Sequence, residues 1–273
     1  MLSRRRIQAT HGWRALDLVE LWRYRELAFI LALRDVQVRY RQTALGIAWA
    51  LLQPLLAMGV FTVFLGSFVH VPSDGLPYAL FAYIGLLPWT YFAGAASNSS
   101  ESLVVNANLI SKVYFPRLAV PISAVGSGIV DLAVGFVVLI VLMFVFGVVP
   151  SWTVVFLPLL VVLAVLAAFA VGVWLSALDV EYRDVRYAVP FLLQIWLFAT
   201  PVVYPASVVP SQFRVLLGLN PMAGVVEGFR WALVGQVDFP TALLTLSCVT
   251  TLLLLMSGLF FFSRMERGFA DRI

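Results

Sequence analysis

The chain has 273 residues, of which 62% are hydrophobic and only 12% are charged. A soluble domain carries about a quarter charged residues, so this balance excludes a soluble fold and indicates an all-α protein that crosses a membrane several times. The net charge of +4 does not point to nucleic acid, because the basic residues flank apolar runs instead of forming one patch.

Residues 1–43 hold nine arginines and form a cytosolic N-terminal segment. No apolar core follows Arg4 to Arg6, so no signal peptide is expected and the N-terminus is retained. Between residues 16 and 40, apolar and aromatic side chains (Leu18, Leu21, Trp22, Ile30) interleave with Arg23, Arg25, Arg34 and Arg39, with Arg41 just beyond. That pattern suits an amphipathic helix lying in the membrane interface, arginine heads in the phosphate layer and Trp22 as an anchor. A transmembrane domain of six spans follows over residues 44–263, and residues 264–273 form a basic cytosolic tail. The first span, residues 44–68, is long enough for ~30 Å of hydrocarbon, with a break expected at Gln53-Pro54. The second covers residues 78–97.

Residues 98–117 then read NSSESLVVNANLISKVYFPR. Asn98 with Glu101 three residues later has the form of a capping box, so a separate polar helix is expected over residues 98–114. Leu103, Ala107, Ile110 and Tyr114 fall on one of its faces, with Asn106, Asn108 and Lys112 turned elsewhere. The third span covers residues 118–148 and the fourth 154–178, where Ala164, Ala168, Gly172 and Ser176 make a small-residue packing seam. Residues 179–187, DVEYRDVRY, return charge to the chain. The fifth span, residues 188–204, is interrupted at Thr200-Pro201, and the sixth covers 241–262. Residues 205–240 are apolar but broken at Asn220-Pro221 into pieces too short to cross, 211–219 and 221–234. They read as an outward re-entrant hairpin (205–234), within which Glu227 and Arg230 share a helix face. Sixteen of the eighteen Lys and Arg residues lie on one side of this layout, which places both termini and the 98–117 and 179–187 segments in the cytosol.

Lys112 is the single lysine and lies in no phosphate-cradling loop, so this chain is not expected to hydrolyse ATP. His11 and His70 are far apart and Cys248 is the single cysteine, so no metal site is expected. The sequon at Asn98 is inert on the cytosolic side. Asp131, a carboxylate inside a span, reads as a helix-pairing group, because the other spans offer no further members of a proton relay. Aromatic residues are frequent in the spans. Most suit interface belts, but Trp49 near Gln53 and Trp196 near Gln194 are also the kind of surface on which sugar rings stack.

Four blocks taken together carry a family likeness: LRDVQVRYRQTALGIAWALLQP at 33–54, YIGLLPWTYF at 83–92, NANLISKVYFPR at 106–117 and NPMAGVVEGFR at 220–230. In this order the chain resembles the permease subunit of type-2 ABC exporters, in the Wzm/TagG branch that moves lipid-linked polysaccharides such as O-antigen and teichoic acid. The resemblance implies a homodimer in the bacterial inner membrane, coupled to two separate ATPase subunits that bind ATP and magnesium, with no cofactor on this chain. It implies that Asn98, Glu101, Leu103, Asn106, Asn108, Lys112 and Tyr114 belong to a coupling helix gripped by the ATPase. Trp22, Arg34, Arg39 and Arg41 would belong to the interface helix, and Asn220, Pro221, Glu227 and Arg230 to the gate hairpin. Trp49, Gln53, Tyr83, Trp89, Trp196 and Tyr204 become candidates for a glycan channel, with the first and fifth spans facing the dimer axis. Since the chain ends soon after the sixth span, a fused ATPase is not expected.

Two rival readings remain at this point, and a third, an ion channel, finds no polar ring or filter sequence to support it. A type-2 exporter of drugs or small lipids shares the six-span plan, although the arm before the first span and the RYRQTALGIAW block favour a glycan. A membrane-embedded glycosyl- or acyltransferase would need a catalytic carboxylate, for which Asp74, Glu101, Asp179, Glu181, Asp184 and Glu227 are the candidates.

Overall fold

The computed structural model describes residues 18–41, 46, 48–235 and 239–269. The expected start of the first span at residue 44, the first four arginines, His11 and residues 270–273 of the tail lie outside the described residues. The described chain is helical: α1 (Leu18–Arg23), α2 (Arg25–Arg41), α3 (Ala48–Phe61), α4 (Tyr78–Val105), α5 (Ala107–Lys112), α6 (Ala119–Val145), α7 (Leu157–Glu181), α8 (Val185–Ala199), α9 (Ser211–Gly218), α10 (Pro221–Val234) and α11 (Thr241–Met265).

The helix α4 is the axis of the molecule, packed against α6, α7, α10, α3 and α8. Its most apolar stretch is 78% buried, against 6% for the span that contains α3, so the outer spans wrap around it. The small-residue seam on α7 faces α4: Ala164, Ala168, Gly172 and Ser176 are all buried. A Cβ on Gly172 would stand 2.5 Å from Ser99 Oγ, so the two backbones approach as closely as only glycine permits.

Three expectations about these elements need correction. Helix α3 runs through Pro54 without a break, which neighbouring helices make tolerable inside a membrane protein. The irregularity comes later, as a wide π-helical stretch at Thr62–Phe68, where Thr62 Oγ1 donates to Met58 O at 2.7 Å. Second, no helix starts at Asn98. The 28 residues of α4 continue through it to Val105, and Glu101 lies mid-helix. Ser100 donates to Ser97 O and Ser102 to Ser99 O, the local back-bonding available to hydroxyls in a helix, which lets these two serines sit inside the packing. Third, the fourth span does not end at residue 178: α7 carries on through Asp179 to Glu181.

Among the described residues, five helical stretches are long and apolar enough to cross a membrane. The helix α8 is shorter: its 15 residues span about 22 Å. It stops at Thr200, ahead of Pro201. The pieces flanking Asn220-Pro221 fall where the sequence places them, as α9 and α10. Asn220 Oδ1 accepts from the Met222 amide at 3.0 Å and Pro221 occupies the first turn, which together start α10. Gly235, at φ 68°, ends it in the left-handed conformation.

Candidate functional site

The helix α4 ends at Asn106, whose φ −98° and ψ 18° turn the chain into α5. Asn106 was expected to face away from the packed side, yet it is buried, and its amide works in two directions. Nδ2 donates to Ser102 O at 2.8 Å, a carbonyl that also accepts the Asn106 backbone amide, and Oδ1 accepts from Arg34 Nη2 of α2 at 2.7 Å. Leu103 and Ile110 are buried with Leu31, Phe115, Val173 and Phe262 in an apolar cluster at this end. Asn98, Asn108, Lys112 and Tyr114 are exposed and Glu101 is half-buried. Tyr114 therefore leaves the face predicted for it beside Leu103 and Ile110. Burial and then the nearby carboxylates Glu20 and Glu266 push its hydroxyl above the usual tyrosine range. Burial likewise holds the Glu266 carboxyl up, partly offset by Arg117, which donates to the Glu266 carbonyl.

Beside this hinge lies a cleft of about 430 Å³. Val104 and Ala107 line one side, and Asp179 and Val180 of α7, Arg183 and Asp184 of the turn, and Arg186 and Tyr187 of α8 line the other. Asp179 is 1% exposed, and neither carboxylate oxygen has a hydrogen-bond partner. Arg186 holds Nε 3.8 Å from Oδ1, an ion-pair distance beyond a hydrogen bond. Val105, Tyr182 and Tyr187 leave apolar surface exposed around it.

The helix α2 is fixed along α6 by a second polar contact. Arg39 and Tyr40 both reach the Asp131 carboxylate, and Arg39 Nη2 also meets Ser127 Oγ at 3.5 Å. Asp131 is thus a helix-pairing group, with its partners on the N-terminal arm. Trp22, under the Arg25 guanidinium at 5.3 Å, and Arg41 are exposed.

At the opposite end, α10 carries a buried clamp. Arg230 Nη1 donates to Pro201 O at 2.7 Å and to Glu227 Oε1 at 2.8 Å, and Nη2 donates to Val202 O at 2.6 Å. Its guanidinium carbon lies 3.7 Å from the Phe81 ring centroid, a desolvated cation–π contact. Glu227 Oε1 also accepts from the Ala206 amide at 2.9 Å. The pair therefore holds the irregular segment between α8 and α9, and Asn220 holds its start, donating to Thr200 Oγ1 at 2.8 Å. The expected pairing of Glu227 with Arg230 is present, but inside the protein rather than on a free face.

The six aromatic and amide candidates do not form one surface in a single copy. Trp49 and Gln53 are exposed on α3. Tyr83 is fully buried between α4 and α6, donating to Gly135 O at 3.1 Å. Trp89 is buried with Trp196 against it, ring centroids 6.4 Å apart, while Tyr204 is half-buried and donates to Phe198 O at 3.0 Å. Two residues singled out in the sequence have surroundings that the sequence did not show. Asp131 stood out as a charge in a span, but its partners were not readable. Asp179 was named only among the carboxylates an enzyme would use, and its burial was not readable.

Residues 26–234 match the family described as ABC-2 type transporter. Over 259 residues the chain is 32% identical to an O-antigen export system permease protein, RfbA of Myxococcus xanthus, covering 93% of this chain and 98% of that protein. It is 30% identical to the RfbA permease of Klebsiella pneumoniae, covering 90% and 94%. The polysialic acid transport protein KpsM of Escherichia coli is 24% identical, covering 87% and 93%.

Proposed function

The chain belongs to the ABC-2 type transporter family, and we propose that it is the permease subunit of an exporter that moves a lipid-linked polysaccharide, an O-antigen or a related glycan, across the bacterial inner membrane. The observation that carries this reading is the similarity to O-antigen permeases along nearly the whole length of both chains. The molecule is a set of membrane-length helices around α4, and its single lysine lies in no phosphate loop, so the energy comes from a separate ATPase.

In this reading α8 with the segment after it completes a sixth span, the α9–α10 pair is a re-entrant hairpin on the outer side, and both termini are cytosolic. Two copies form the pore, and two ATPase subunits grip the α4–α5 end, where Asn108, Lys112 and Tyr114 are exposed. Closure of the ATPases on ATP would push on that end and tilt the outer spans.

Complementation tests the reading. A strain lacking its own O-antigen permease, supplied with this chain and its cognate ATPase subunit, should regain surface polysaccharide. Glycan retained inside the cell despite an assembled complex would exclude glycan export, and restored drug resistance in its place would favour the small-molecule exporter.

A further inference from the structure

The cleft between the α4–α5 hinge and the α7–α8 turn contains a carboxylate that its own chain leaves unsatisfied. Asp179 is 1% exposed, lines the cleft, and accepts no hydrogen bond at either oxygen. A buried carboxylate short of donors is strongly disfavoured, and Arg186, with its guanidinium 3.8 Å away and its backbone amide nearby, offsets only part of that cost. Glu101, on the adjoining face of α4, lies within electrostatic reach of Asp179 and adds a second negative charge. Around the cleft, Val105, Tyr182 and Tyr187 present exposed apolar surface. A buried, loosely paired charge ringed by exposed aromatic and aliphatic groups is a place where a partner's contacts would exclude water from an added ion pair.

We infer that this cleft receives an arginine or lysine side chain from the ATPase partner, and that the incoming cation pairs with Asp179. The inference rests on reading the α4–α5 end as the side that faces the ATPase. It adds that the grip spans two chain segments, because Val104 and Ala107 come from one and Asp179, Arg183 and Arg186 from the other. A cation seated there touches both, so a push by the ATPase moves α4 and α7 together. The cleft volume, about 430 Å³, is large enough for a long basic side chain.

The test uses the full-length permease in nanodiscs with its cognate ATPase subunit. Asp179→Asn should weaken ATPase binding roughly tenfold or more, while Asp179→Glu retains most of it. A photocrosslinking residue placed at Ala107 should label an ATPase peptide that contains an arginine or lysine. Reversing that charge on the ATPase should abolish binding, and Asp179→Lys should restore it. Wild-type affinity in Asp179→Asn, or a crosslinked peptide without a basic residue, overturns the inference and leaves the permease reading intact. Failure of the unmodified chain to bind any ATPase overturns both. Should Asp179→Asn not yield folded protein, the crosslink on the otherwise native chain decides.

Discussion

A guanidinium with donors on several sides suits a stretch of backbone that has no helix of its own to satisfy its carbonyls. Residues 201–206 are such a stretch, and Arg230 takes the carbonyls of Pro201 and Val202 while Glu227 takes the amide of Ala206. Removing Arg230 would strand Glu227 without its charge partner inside the protein. Arg230→Ala should therefore cost roughly 3–5 kcal/mol of stability, read as a lower denaturant midpoint in detergent. Replacing both, as Glu227→Gln with Arg230→Met, should cost less than the single change, because no isolated charge is left behind. Gly85 tests the same clamp from the α4 side. A Cβ there would stand 2.5 Å from Val202 O and 3.0 Å from Arg230 Nη2, so Gly85→Ala should lower the melting temperature although alanine is the better helix former. An unchanged or raised melting temperature would mean that the segment is free to move away from α4. The i, i+3 spacing made the Glu227–Arg230 pair legible in the sequence. Its carbonyl partners lie more than twenty residues away and carry no side-chain signal, so they were not.

At the scale of elements, the misplaced helix start at Asn98 shows where local signals stop deciding. Asn98 and Glu101 fit a capping box, but Ser99, Ser100 and Leu103 are buried around the same turns, and packing against α7 and the apolar cluster beyond keeps α4 continuous. The real break is at Asn106, where the amide serves both the end of α4 and Arg34 of α2. Asn106→Ala removes both contacts and should destabilise this end by about 1–2 kcal/mol. The span positions and the split at Asn220-Pro221 were legible, since long apolar runs and an Asn-Pro break act locally. The docking of α2 was not, because the same arginines suit either a phosphate layer or a carboxylate on a neighbouring helix. Asp131 distinguishes these roles: Asp131→Ala should release α2 from α6 and raise trypsin cleavage after Arg39 and Arg41 in nanodiscs, with folding unchanged. Cleavage at the wild-type rate would show that lipid, rather than Asp131, holds the arm.

For the whole molecule, the contrast between α4 and the first span sets where further copies can pack. The first span leaves Trp49, Leu52, Leu56, Val60 and Phe64 exposed, and α8 leaves Phe191, Leu192, Ile195 and Phe198. Lipid satisfies such faces as well as protein does, so exposure alone does not choose between them. The proposed pore does choose: a glycan path shared by two copies needs α3 and α8 at the dimer axis, which would also bring Trp49 and Gln53 of each copy to the path. Helix α6 supplies the comparison, because Phe144 is 87% exposed on a different element. With Cys248 replaced by serine, single cysteines at Leu56 and Phe64 should form disulfide-linked dimers in native membranes under mild oxidation. A cysteine at Phe144 should remain monomeric under the same conditions. Equal crosslinking at all three positions would indicate random collision, and crosslinking confined to Phe144 would place the dimer axis on α6, leaving Trp49 and Gln53 in lipid and removing them from the glycan path.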